Sequence, residues 1–206
     1  MQRELLDIAD RIRALSRNGQ FYAADEYDKE RYDELLELSN RMTAILTGRD
    51  IEEIALCYKP ADDYVTPKID VRAVVFDEQE RLLLVRERAD GCWSLPGGWG
   101  DVGFTPSEVA VKEVREETGL EVVADRLLAV LDKRCHNHPP APHYAYKIFI
   151  RCCVAGGKLA TAFDTLDVGF FSLDSLPPLS TDRVTREQIE LMYEYLHHPE
   201  KIAITD

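Results

Sequence analysis

No run of apolar residues in this 206-residue chain approaches the length a membrane span needs, which is roughly 20 consecutive apolar positions. The longest charge-free stretches lie around NHPPAPHYAY and are polar, so a spanning helix is excluded. The N-terminal MQRELLDIADRIRALSR mixes both charge signs and lacks the unbroken apolar centre of a secretory signal. A cytoplasmic location is the expectation. Cysteine is scarce and odd in number, at 5. Cys152 and Cys153 are adjacent and no C-x-x-C pair occurs, which excludes a disulfide framework or a zinc cluster and leaves buried, reduced thiols as the expectation. Positive charge is also short: 25 Lys and Arg stand against 38 Asp and Glu, a net charge of -13. Phosphate-backbone affinity comes from clustered cations, so nucleic-acid binding is not expected. An acidic protein acting on an anionic substrate would need an added cation. There is no internal repeat and no low-complexity tract.

The chain is 45% hydrophobic and 31% charged, enough for one ordinary core and a small second module. Leu5, Ile8, Ile12 and Leu15 fall at helical spacing, and Asn18-Gly19 reads as the end of that helix. A second helical pattern starts near Asp28 and carries Tyr32, Leu35, Leu36, Met42, Ile45 and Leu46 up to Gly48. These two helices predict a hairpin over residues 1–48 whose apolar faces dock either on a second copy or on the body of the same chain. Residues 49–68 read as a linker and residues 69–206 as the main domain. In the main domain, DVRAVVFDEQERLLLVRER predicts two strands around a polar turn, with Val71, Ala73 and Val75 alternating against Arg72, Val74 and Phe76. Further strands are expected at RLLAVLDK, AYKIFIRCCVAG and DVGFFSL, and a last helix near Thr185 with Gln188 at capping-box spacing. Helices and strands mix without regular alternation, which favours an α+β sandwich.

VKEVREETGL sets Glu113, Glu116 and Glu117 on one helical face. The ends of that helix are well marked, by Thr105 and Glu108 as a capping box, Pro106 in the first turn and Gly119 at the close. Exposed like-charge neighbours cost only about 0.2–0.5 kcal/mol per pair, so a solvated face would also account for the spacing. The loop LPGGWGDVG just upstream weighs against that. Its glycines allow an irregular backbone that brings carbonyl oxygens beside the carboxylates, a hard-oxygen set suited to Mg²⁺ or Mn²⁺.

Residues 98–120, GWGDVGFTPSEVAVKEVREETGL, resemble the signature of the Nudix hydrolases, G-x5-E-x7-R-E-(apolar)-x-E-E-x-G-(apolar). Gly98, Glu113, Val114, Glu116, Glu117, Gly119 and Leu120 fall in register, while Phe104 replaces the first glutamate and Lys112 the arginine. Lysine keeps the charge and loses the planar fork. TPKIDVRAVVFDEQERLLLVRERADGCWSLPGGWGDVG, HNHPPAP and GFFSLDSLPPLSTDRVTREQI, with the N-terminal helical segment, are similar to a subgroup acting on nucleoside diphosphates linked to a moiety X, including ADP-ribose and CDP-choline pyrophosphatases.

The resemblance implies an α/β/α sandwich with a mixed sheet, a homodimer formed through the N-terminal helices, and cleavage of NDP-X by water into NMP and X-phosphate. It implies Glu113 and Glu117 as principal metal ligands, Glu116 as a further ligand or base-side partner, the Gly97 carbonyl as another ligand and Lys112 in the orienting position. The general base would be Glu116 or Asp164. Substrate-side candidates are Arg86 and Arg88, two cations before the glycine loop, then Trp99 for stacking, and His136 and His138 in the proline-stiffened loop. Each has a plainer reading, respectively solvated edge charges, packing and a surface turn. The departures at Phe104 and Lys112 leave room for a degenerate module that binds a nucleotide and reports it through the hairpin.

Overall fold

The computed structural model describes residues 2–57, 66–101, 103–141 and 144–206. It divides into two compact units, Met1–Pro67 with Pro140–Tyr144, and Lys68–Pro139 with Ala145–Asp206. Among the described residues no helix is long and apolar enough to cross a membrane.

In the first unit, α1 (Gln2–Tyr22) and α2 (Glu26–Thr47) form the expected hairpin. Asp25 caps α2 by accepting from the Asp28 amide, and Gly48 closes it in the left-handed conformation at φ 67°. The seam between the helices is polar. Arg13 donates to Asn40 at 3.2 Å and to Thr43 at 2.6 Å, and Ser39 donates to the Ala9 carbonyl at 2.7 Å.

Two expectations are corrected here. The first helix does not end at Asn18-Gly19 but runs on to Tyr22. A Cβ at Gly19 would lie 2.2 Å from the Tyr32 ring, so this glycine permits close approach of α2 and is not a cap. Nor does the linker lack structure throughout, since α3 (Ile51–Cys57) occupies part of it. Residues 58–65 of that linker lie outside the described residues. The apolar positions read as a docking face behave differently from a monomer core: Leu5, Ile8 and Leu15 are exposed, while Leu6, Ala9, Arg13 and Ser16 are buried.

The second unit holds β1 (Lys68–Val75), β2 (Leu82–Glu87), β3 (Trp93–Ser94), β4 (Gly97–Trp99), α4 (Pro106–Thr118), β5 (Leu120–Asp132), β6 (Ala145–Gly157), β7 (Thr165–Phe171), α5 (Arg186–His197) and β8 (Ile204–Thr205). One mixed sheet has the order β4-β1-β6-β5-β8, and a smaller antiparallel sheet the order β3-β2-β7. The alternation read in β1 has a physical outcome. Val71, Ala73 and Val75 pack with Val109, Ala110 and Val114 of α4, while Val74 joins Leu84, Phe149, Ile189 and Met192 on the α5 side. A strand buried on both faces, with a helix on each side, is the α/β/α sandwich.

Both capping boxes form. Thr105 accepts from the Glu108 amide at 3.3 Å and Glu108 from the Thr105 amide at 2.8 Å, and Thr185 and Gln188 repeat the pattern at α5. The glycine loop departs from the irregular backbone expected of it, because Gly97–Trp99 pairs with β1.

Candidate active site

The site grows from the approach of β4 to α4. Gly97 lies opposite Arg72 and Gly98 opposite Val71. Gly97 has φ 151°, and a Cβ there would fall 2.1 Å from the Val71 carbonyl oxygen, so only glycine lets the strands close. At Gly98 a Cβ would sit 3.3 Å from the Glu113 carboxylate. The two glycines therefore bring backbone against the acidic face of α4, and the Gly97 amide donates to Glu117 Oε2 at 3.0 Å.

The three glutamates do not share one environment. Glu117 is 7% exposed. Burial pushes its pKa up to about 8; the Arg72 charge and the Gly97 amide oppose that rise, and the Glu113 and Glu87 charges add to it. Glu113 is raised too, chiefly by burial, against the pull of Lys112. Glu116 is half-exposed. Lys112 Nζ lies 3.3 Å from Glu113, 3.4 Å from Glu116 and 3.4 Å from Asp101, and the Glu113 charge leads in raising its pKa.

Among the described residues no group of three or more His, Cys, Asp or Glu is gathered closely enough to hold an ion. The Lys112 ammonium stands between Asp101, Glu113 and Glu116, and Glu117 is engaged by the Gly97 amide. The donor chemistry nevertheless suits a hard divalent cation. Burial raises the pKa of both Glu113 and Glu117, and the Glu113 charge raises Glu117 further, so a divalent charge beside them would relieve both.

A buried charged group behind the glutamates was missed in the sequence. Arg72 is 6% exposed, Asp70 6% and Lys147 0%. Burial disfavours the Asp70 carboxylate, but the flanking Arg72 and Lys147 charges more than offset it and hold its pKa below the usual range. Burial brings the Lys147 ammonium down to about 8 while Asp70 supports it, so the pair stays largely ionised near pH 7. Charged residues inside the apolar runs KIDVRAVV and AYKIFI were the available signal. Glu87, between Arg86 and Arg88, was also missed; it accepts from Ser94 at 2.6 Å and pairs with Arg183 at 3.1 Å.

The other expected residues are dispersed. Asp164 is exposed just before β7, its carbonyl accepts from the Arg88 amide at 3.3 Å, and the next residue, Thr165, donates to the Glu117 carbonyl at 3.4 Å. The loop thus borders the end of α4. Arg86 donates to the Gly91 carbonyl at 2.8 Å, and Arg88 to that of Phe163 at 3.1 Å. Trp99 is 50% exposed with Lys68 above its ring at 5.1 Å. His136 meets Asp206 at 3.1 Å, and His138 is buried against the Thr181 carbonyl at 2.7 Å.

Burial lowers the His138 pKa to about 4. The unfolded chain, with a pKa near 6.5, then binds more protons between pH 6.5 and 4, so stability falls as pH drops through that window. Wild-type protein is expected to lose about 2 kcal/mol more than His138→Gln between pH 7 and 4.5 in urea melts. Equal losses would contradict a neutral, buried imidazole.

The NUDIX domain profile matches residues 66–192, and a profile described as a UDP-X-like, N-terminal oligomerisation domain matches residues 3–57. YjhB of Bacillus subtilis (strain 168), provisionally named an ADP-ribose pyrophosphatase, is 45% identical over 100% of this chain and 99% of its own. A crystal structure of a UDP-X diphosphatase matches with a TM-score of 0.64 and 34% identity, covering 100% of this chain and 99% of that one. A crystal structure of an ADP-ribose pyrophosphatase from Streptococcus suis 89-1591 matches with a TM-score of 0.63 and 45% identity, covering 68% of this chain and 100% of that one.

Proposed function

The chain belongs to the Nudix hydrolase family, and from that premise we propose that it is a divalent-metal-dependent pyrophosphohydrolase that cleaves NDP-X into NMP and X-phosphate. ADP-ribose is the leading substrate, since relatives at 45% identity carry that name. UDP-linked and CDP-linked compounds such as CDP-choline come next. The observation that carries the reading is the convergence of Glu113 and Glu117 on the backbone of Gly97 and Gly98.

In this reading Glu113, Glu117 and the Gly97 carbonyl hold Mg²⁺ or Mn²⁺, with Glu116 as a further ligand. When bound, the ion neutralises charge on the departing phosphate and lowers the pKa of water. Lys112, 3.3 Å from Glu113 and 3.4 Å from Glu116, would orient both carboxylates. Glu116 or Asp164 takes the proton from the attacking water. Trp99, half-exposed with Lys68 over its ring, would stack on the base, and Arg86, Arg88 and His136 would face the phosphates and X, with the buried His138 holding its loop in place. The pure protein is to be incubated with ADP-ribose, UDP-sugar and CDP-choline plus Mg²⁺ or Mn²⁺. Release of the nucleoside monophosphate with X-phosphate is expected. Nucleotide binding without that release would overturn the reading and leave a sensor module.

Residues 1–48 serve as a dimerisation module, 49–68 as a linker and 69–206 as the catalytic domain. The exposed Leu5, Ile8 and Leu15 support this, as does the described role of the profile that matches residues 3–57. Because the hairpin seam is already closed by hydrogen bonds, these side chains are free to meet a second copy. Ile8→Glu with Leu15→Glu is expected to convert dimer to monomer in light scattering while the circular dichroism spectrum is unchanged. A dimer that persists would contradict the assignment. The thiols are free, but only Cys152 is buried and Cys135 and Cys153 are exposed, which corrects the expected buried set; a reducing cytoplasm would keep them unpaired.

A further inference from the structure

We propose that the buried series Lys147, Asp70 and Arg72 is a positioning device that holds the Leu95–Gly97 backbone and, through it, the Glu117 carboxylate. Strand register assembles it. Asp70 stands opposite Lys147 across the parallel β1 and β6 pair, and Arg72 stands opposite Gly97 across β1 and β4. Lys147 Nζ donates to Asp70 Oδ2, and Arg72 Nε donates to Asp70 Oδ1 at 2.9 Å. With its Nε anchored, the guanidinium sends Nη1 to the Leu95 carbonyl at 3.0 Å. The Ala73 amide donates to the Pro96 carbonyl at 2.8 Å, and the Gly97 amide then reaches Glu117. Four contacts and the Leu95–Gly97 backbone thus connect β6 to a side chain of α4, with the Ala73–Pro96 bond bracing the same backbone.

Stability is a poor account of this arrangement. Buried ion pairs are often replaced by apolar residues of equal size without loss, since desolvation consumes most of the Coulombic gain. Simple charge is a poor account as well. A cation beside Glu117 repels a divalent ion, so if Arg72 acted only as a charge its removal would tighten metal binding. What Arg72 supplies is the planar fork that grips Asp70 and Leu95 together.

The inference rests on the reading of Glu117 as a metal ligand. The test is Arg72→Lys in the full chain, which keeps the charge and loses the fork. In metal-free protein the Gly97 amide is expected to exchange with solvent about tenfold faster by NMR. Without nucleotide, Mn²⁺ affinity measured by electron paramagnetic resonance is expected to fall about 10–100-fold, the range seen when outer-shell partners are lost. The value of kcat should fall with it while KM for ADP-ribose stays within about twofold. A folded variant with wild-type Gly97 exchange and Mn²⁺ affinity would overturn the proposal. Should Arg72→Lys not fold, Asp70→Asn keeps the shape but leaves one acceptor oxygen where Lys147 and Arg72 each used their own, and must give the same losses. If neither variant folds, the series is a stability element and the proposal fails. Wild-type protein that binds no Mn²⁺ would overturn the ligand reading instead, and Gly97 exchange would still report on positioning.

Discussion

Glu117→Gln is expected to reduce turnover of ADP-ribose roughly a thousandfold, equivalent to about 4 kcal/mol of transition-state stabilisation. The substitution keeps the shape of the side chain and an oxygen that can accept from the Gly97 amide, now 3.0 Å from Glu117. It removes only the charge. The fold should survive, because Glu117 pays heavily for ionising in a buried site, with its pKa pushed up to about 8. The sign follows from proton linkage. A carboxyl whose folded pKa lies above its unfolded value binds more protons in the folded state, so it costs stability as pH rises from about 4.5 through 8. Metal-free wild type should therefore lose stability across that interval relative to Glu117→Gln. Thermal melts at pH 5 and pH 8.5 read the difference. A variant that turns over within about tenfold of wild type would remove Glu117 from the site.

The largest expected loss of stability belongs to Gly97→Ala. Its Cβ would meet the Val71 carbonyl oxygen at 2.1 Å and Arg72 Cα at 3.0 Å, both backbone atoms that no rotamer change can move aside. At φ 151° the backbone is also unsuited to an L side chain. β4 would have to leave β1, which breaks the pairing of Arg72 with Gly97 and the amide contact to Glu117. A destabilisation of about 4 kcal/mol or more is expected, which lowers Tm by roughly 8–16 °C in a chain of this size. Gly103→Ala is the control. Gly103 has φ 94° and nothing within 4 Å of a Cβ, so only backbone strain of about 1–2 kcal/mol applies. Equal melting temperatures for the two variants would contradict the steric argument.

What could be read from the chain was local. The ends of α4 are set by Thr105, Pro106, Glu108 and Gly119, residues whose effects are confined to a single turn, and all four act as their chemistry dictates. The double-faced pattern of β1 was equally legible, because period-two alternation needs no knowledge of partners. Spacing also put the three glutamates on one face. It did not say that Glu117 would be buried and Glu116 half-exposed, since that depends on where β4 settles against α4. The same limit hid Asp70 and Lys147, which lie 77 positions apart and meet only through strand register. In α1 the misread feature was its end, since Gly19 looks like a local cap while its real role, admitting the Tyr32 ring of α2, depends on a partner helix. Apolar spacing marked Leu5, Ile8, Ile12 and Leu15 as one face; it could not show that the hairpin seam itself closes on Arg13, Ser39, Asn40 and Thr43, whose hydrogen bonds carry no hydrophobic periodicity.

The measurement that bears most directly on the account is anomalous diffraction from a crystal soaked in Mn²⁺ together with a non-hydrolysable ADP-ribose analogue. The account predicts manganese density beside the Glu113 and Glu117 carboxylates, with the analogue's pyrophosphate next to it. Bound analogue with no manganese at those carboxylates would contradict it.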